Sequence, residues 1–168
     1  MRKSHAYLIE STIPSYVVAR PARDLLQAAR QQMTKDWWEL KRHNHELFTG
    51  QLVLDEIAFG EPEMAKRRLE LVADHALLES TEEARQLTRS IMDSRLLPEK
   101  AEGDAAHIAL ATFHKMDILL TWNCRHIANA FILGLLRRLI EAGGYSTPTI
   151  CTPEEMLQET YEQNDWDK

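Results

Sequence analysis

The sequence predicts an α/β protein in three layers, with a central parallel sheet of four to five strands between helices. Three observations predict it. Short apolar runs of strand length alternate with longer segments of helical period. The runs are nearly continuous in apolar residues, as in strands covered on both faces. Each run ends in polar or helix-capping residues, where a strand would hand the chain to a crossover helix.

The elements follow in order. Ala6–Ile9 is the first strand, and Glu10-Ser11-Thr12 with Pro14 opens a helix behind it. Arg23–Arg42 places Leu25, Leu26, Ala29, Met33, Trp37 and Leu40 at near-helical spacing, an amphipathic helix. His45–Thr49 is a second strand, Leu52–Phe59 a helix stopping at Gly60, and Pro62–Ala73 another helix with Arg67 and Arg68 outward. Ala76–Leu78 is a third strand. Ser80 with Glu83 has the capping-box pattern for a helix to about Met92. A loop at Arg95–Gly103 leads to a buried helix, Asp104–Lys115. Asp117–Trp122 is a fourth strand, Ile127–Ala142 a helix ending at Gly143-Gly144, and Pro148–Cys151 a last strand before a helix capped by Thr152. With 168 residues and no repeat or linker, the expectation is one domain over 1–160 and a frayed polar tail at 161–168.

Lys plus Arg is 20 and Asp plus Glu is 26, a formal charge of −6, which excludes a generic polycation that coats nucleic acid. Binding of RNA or DNA would need a local basic face or a metal. Cys124 and Cys151 make no disulfide framework, so a reduced, cytoplasmic protein is expected. The first ten residues lack the apolar run of a signal peptide, and no stretch reaches the ~18 apolar residues of a membrane span.

In parallel sheets, sites form past the carboxyl ends of the strands. Glu10 and Asn123 stand there, Glu56 lies in the helix after strand two, and Asp104 opens the helix before strand four. Carboxylates gathered from such distances repel unless a divalent cation neutralises them. Hard oxygen donors suit Mg²⁺ or Mn²⁺, which assist phosphodiester hydrolysis. Of the neighbours Asp55 and Glu56, only one can face the cleft. Taking Leu52 and Phe59 as the core side selects Glu56. Asp104 can also be a plain N-cap, and Asp117 reads as a loop cap. Ser11, Thr12 and Thr121 can hold a carboxylate or only cap. His107, one turn after Asp104, is either a packed histidine or a contact to the site. Trp122 is either a core residue or a platform for a base. Arg125, His126 and Asn129, at an expected helix start, form a candidate phosphate site. His43 and His45 lack a third metal ligand nearby.

The strings AYLIESTIPSYV, QLVLDEIAFGEP and AEGDAAHIALATFHKMDILLTWNCRHIAN resemble, in order and spacing, the acidic motifs of PIN-domain proteins. The resemblance spans about residues 5–157 and is nearest to the VapC-like toxin branch. It implies a PIN-like fold and a Mg²⁺- or Mn²⁺-dependent ribonuclease, the toxin of a toxin–antitoxin pair. It also implies RNA as substrate, a cognate antitoxin and a homodimer. Glu10, Glu56 and Asp104 take the first three acidic positions, as metal ligands, and Asn123 the fourth. Glu10 stands where most members have Asp, and Asn123 brings no charge where many have Asp. These departures imply a weaker or more selective metal site. They also admit a PIN-like binding module with a decayed site, or a DNA-directed nuclease on the same fold.

Overall fold

A computed structural model describes residues 4–158. Five strands, β1 (Ala6–Ile9), β2 (Glu46–Gly50), β3 (Ala76–Leu78), β4 (Ile118–Leu120) and β5 (Thr149–Cys151), form one sheet in the order β3-β2-β1-β4-β5. Every pairing is parallel. The helices are α1 (Thr12–Val18), α2 (Leu25–Leu40), α3 (Gln51–Ile57), α4 (Pro62–Leu71), α5 (Glu82–Asp93), α6 (Glu102–Phe113) and α7 (Ala130–Ala142). Residues 153–158 are helical too, entered through a reciprocal cap: Thr152 N–H donates to Glu155 at 2.7 Å, and Glu155 N–H donates to Thr152 Oγ1 at 3.4 Å. The expected tail at 161–168 lies outside the described residues. Among the described residues no helix is long and apolar enough to cross a membrane.

The strand register explains the two cores. Successive strand side chains point to opposite faces. Leu8, Leu119 and Ile150 therefore join one cluster, with Leu87, Ile91, Ile108, Leu136 and Ile140 of α5, α6 and α7. Tyr7, Ile9, Ile118, Leu120 and Cys151 face the other way, onto Ile13, Trp37 and Trp38 of α1 and α2. α6 is buried almost all round, which is why it reads as continuously apolar.

Three local expectations are corrected. In α2, Leu25 is 87% exposed, and Leu26 and Leu40 are exposed as well. The inward face is Gln31, Thr34, Trp37 and Trp38. Gln31 is buried because its amide bonds Arg20 O and Ala22 N, and Thr34 because it bonds Arg30 O and Trp122 Nε1. Counting apolar residues alone therefore misphases the helix. The cap of α5 is Thr81, accepting from Ala84 N–H at 3.2 Å, not Ser80. Residues 124–128 are turns, and α7 begins only at Ala130, where Asn129 caps it through Phe131 N–H.

The chain lays β2 and β3 to one side of β1, then crosses back to lay β4 and β5 on the other. That reversal opens a crevice at the carboxyl ends of β1 and β4. Gly50 sets how closely α6 approaches the end of β2: a Cβ there would lie 2.5 Å from Leu110 Cδ2. Arg68 of α4 fastens the end of α3, donating to Ile57 O at 2.8 Å and Phe59 O at 2.6 Å. Arg68 is thus a tether and not the outward charge expected.

Away from this crevice, His75 is buried to 2% side-chain exposure against the Trp38 ring. Among the described residues neither of its ring nitrogens has a hydrogen-bond partner. Burial pushes its pKa below 6.5; Asp74 opposes that shift and Arg42 adds to it. The unfolded chain therefore binds the proton more readily. The stability from neutral His75 is complete above the unfolded value near 6.5 and is lost as pH falls towards the lower folded value. Urea unfolding of wild type and His75→Phe between pH 7.5 and 5 should differ in slope, by up to about 1.4 kcal/mol per pH unit for this one proton. Identical slopes would remove His75 from the account.

Candidate metal centre

Glu10 leaves the end of β1 with its N–H on Leu120 O at 3.1 Å, so backbone pairing fixes the side chain at the β1/β4 seam. It is only 3% exposed. Its Oε1 accepts from Ser11 Oγ at 2.6 Å. Its Oε2 accepts from Thr12 N–H at 3.1 Å, from the Thr12 hydroxyl and from Thr121 Oγ1 at 2.8 Å. Ser11 makes no side-chain cap to α1. Instead the three hydroxyls hold a carboxylate, one of the two roles the sequence left open. Thr12 Oγ1 also accepts from Trp122 N–H at 2.8 Å, tying the start of α1 to the exit of β4.

Glu56, on α3, accepts from His107 Nε2 of α6 at 3.2 and 3.1 Å. Burial pushes the Glu56 carboxyl up, but the hydrogen bond and charge of His107 and a hydrogen bond from Ser11 outweigh it, so its pKa falls below the ordinary value. Ser11, whose hydroxyl donates to Glu10, thus also lies near Glu56. Burial pushes His107 down, while the bond to Glu56 and the charges of Glu10, Glu56 and Asp104 more than reverse that, and its pKa is raised. Glu10, Glu56 and His107 each offer one ligand atom, and these lie within 4.8 Å of one another.

The third acidic residue sits beside this group. Asp104 lies in the first turn of α6, whose N-cap is Ala101, so it is not the cap. Its Oδ1 accepts from Asn123 Nδ2 at 2.9 Å and its Oδ2 from His126 Nδ1 at 2.8 Å. Asn123 is fixed in turn: its N–H donates to Thr121 Oγ1 at 2.9 Å and its Oδ1 accepts from His126 N–H at 3.0 Å. One chain of bonds therefore runs from Glu10 through Thr121 and Asn123 to Asp104.

The structure thus brings Glu10, Glu56, Asp104, Asn123, Ser11, Thr12, Thr121 and His107 into one hollow. The tightest group of potential ligand atoms is Glu10, Glu56 and His107, and Asp104, expected as the third ligand, stands beside it. The sequence held a signal for this, since Asp104 and His107 are one helical turn apart and share a face. His126 was expected at a phosphate site and is instead Asp104's partner. Glu56 faces the hollow as expected, but the premise fails: Phe59 is 85% exposed, and Val53 and Ile57 are the core side of α3. Asp55 is exposed and accepts from Gln51 Nε2.

Trp122 is 6% exposed, donates through Nε1 to Thr34 Oγ1 at 2.7 Å, and lies under Arg30 and beside Tyr16. Of its two readings the structure places it in the core. Arg125 is exposed in the turn before α7 and not at a helix start, and its carbonyl accepts from Asn129 Nδ2. Asp117 caps the opposite edge of the sheet, accepting from Ala6 N–H at 2.8 Å. His45 stacks on Tyr7 at that same edge.

Two carboxylates and an imidazole are a donor set that fits a divalent ion between hard and borderline, and the imidazole favours Mn²⁺ over Mg²⁺. A resident Mn²⁺ or Mg²⁺ would be held by Glu10, Glu56 and His107, with Asp104 adding charge from one turn away.

No protein-family model matches the chain, and no curated protein does. Among solved structures it is similar to a chain of VapBC2 from Rickettsia felis, bound to a DNA fragment from their promoter. The TM-score is 0.56 at 12% identity, over 88% of this chain and 98% of that one. At that identity the likeness speaks for the fold alone: an α/β architecture with a five-stranded parallel sheet, consistent with the PIN-like fold that the motifs resemble.

Proposed function

We propose that this chain is a divalent-metal-dependent endoribonuclease, the cytoplasmic toxin of a toxin–antitoxin pair. The observation that carries the reading is the convergence of Glu10, Glu56, His107 and Asp104 at the carboxyl edge of β1 and β4. When bound, the metal supplies Lewis acidity and a more acidic water for in-line attack on a phosphodiester. The chain's own residues set the geometry. Ser11, Thr12 and Thr121 fix the Glu10 carboxylate. Asn123 aims Asp104, and Asp104 holds His126 by its Nδ1–H. The products would be a 3′-hydroxyl and a 5′-phosphate. The motif resemblance and the VapBC-named neighbour support a cognate antitoxin as partner, and the resemblance supports a homodimer.

Mn²⁺-dependent cleavage of structured RNA tests this. Asp104→Asn should lower the rate about 10–100-fold, the usual loss when a group orienting a metal site is altered. Equal rates would remove Asp104 from the site.

One observation favours a second reading, a PIN-like module that docks RNA or protein without cutting. Each polar group of the hollow already has a protein partner: Glu10 four donors, Glu56 the His107 ring, Asp104 both Asn123 and His126. Calorimetry separates the two, because absence of Mg²⁺ and Mn²⁺ binding at millimolar concentration selects the second.

A further inference from the structure

A cleft of about 560 Å³ leads away from the acidic hollow between α3, α5 and α6. His107 forms the wall it shares with the hollow, Leu52, Ala106 and Leu110 give it an apolar floor, and Arg85 and Arg89 of α5 form the far wall. The two arginines are one helical turn apart, where like charges would repel. Glu82 accepts from both, from Arg85 Nε at 3.1 Å and Arg89 Nη2 at 2.6 Å, and so sets the guanidiniums side by side. Arg85 is further held by Ser80 O. Three bonds engage the two groups within the described residues, and each guanidinium carries five donors, so donors remain for a guest. Asp55 and Glu102 line the α3 and α6 sides, which steers an anion to the α5 wall.

We propose that this cleft seats the nucleotide next to the scissile bond of a single-stranded RNA, its base on the apolar floor and its phosphate on Arg85 and Arg89. The inference rests on the ribonuclease reading and names where its substrate is gripped. An apolar floor suits the face of a base, and paired guanidiniums suit a phosphate. The volume lies in the range of sites that hold small organic groups. On a chain of net charge −6 a local cationic pair is what an incoming polyanion needs.

The test is fluorescence anisotropy with a labelled, mixed-sequence single-stranded RNA in metal-free buffer, over a range of KCl. Arg85→Gln with Arg89→Gln should bind at least tenfold more weakly. The plot of log K against log[KCl] should be shallower by about 0.7, because the one phosphate that both arginines grip is no longer neutralised. Both arginines are more than half exposed, at 53% and 57%, so the variant keeps its fold. Unchanged affinity, or a weakening with unchanged salt slope, overturns the proposal. So does poly-glutamate displacing the RNA as well as unlabelled RNA does, which assigns the cleft to an acidic protein segment. Calorimetry with Mn²⁺ on both proteins reads the metal site separately, so failure of the nuclease reading is told apart from failure of this one.

Discussion

Glu10→Gln is expected to abolish Mn²⁺ binding and to lower RNA cleavage about 10³-fold or more, a loss of several kcal/mol of metal-dependent transition-state stabilisation. The side chain is nearly isosteric, so the effect isolates charge. Glu10 receives three hydroxyls and one backbone N–H. The hydroxyls of Ser11, Thr12 and Thr121 can rotate to accept from the new amide. Thr12 N–H cannot reverse its role, and if the amide nitrogen faces it, one buried donor is stranded at a cost of about 1–3 kcal/mol. Activity should therefore fall far more than stability. Glu10→Asp is the informative companion. It keeps the charge but withdraws the carboxylate by one methylene from Ser11 and Thr121. Calorimetry should then record weakened rather than absent Mn²⁺ affinity. Full Mn²⁺ affinity in the Gln variant would exclude Glu10 as a ligand.

Much of the architecture was legible because buried parallel strands are written as short unbroken apolar runs. Ala6–Ile9 and Ala76–Leu78 fall where the runs predict, and the remaining strands fall within a few residues of prediction. What escaped has a common cause. The inward face of α2 is part polar, and Gln31 and Thr34 are tolerated inside only because tertiary partners bond them, which no periodicity reports. The late start of α7 has a similar origin. Asn123 bends the chain by accepting from His126 N–H, while its carbonyl takes Ile127 and Ala128 N–H, and residues 124–128 are spent on a turn.

The hollow was legible in its members and less so in its wiring. Glu10 and Asn123 were marked by standing after β1 and β4, which strand-end reasoning finds without any motif. Glu56 and His107 meet across 51 residues because Gly50 lets α6 approach β2. Sequence spacing carries no record of that approach, so it does not predict that His107 lies as close to Glu10 and Glu56 as it does. An imidazole donor from His107 would move the preference of the site from Mg²⁺ towards Mn²⁺. A metal held by His107 would bind with release of a proton, because a histidine must be neutral to ligate and Glu56, Glu10 and Asp104 raise the pKa of this one.

Trp122→Ala should destabilise the fold by about 3–5 kcal/mol, the range for deleting a buried aromatic side chain. The ring packs in the α1/α2 core, and its Nε1–H is the partner of Thr34 Oγ1, itself fully buried. Trp122→Phe refills most of the space and loses that bond, for which a cost of about 1–2 kcal/mol is expected. Thermal or urea unfolding reads both numbers. RNA affinity decides between the two roles that the sequence allowed this residue. A core tryptophan beside Asn123 leaves no ring face for a base, so the folded Phe variant should bind RNA as wild type does. A base platform would show the reverse, little change in stability and weaker binding. Trp122 N–H holds Thr12, and Thr12 holds Glu10, so the backbone at this position belongs to the acidic hollow even though the indole does not. The Ala variant, where it still folds, should therefore lose Mn²⁺ affinity in proportion to how far this loss of packing loosens the β4 exit.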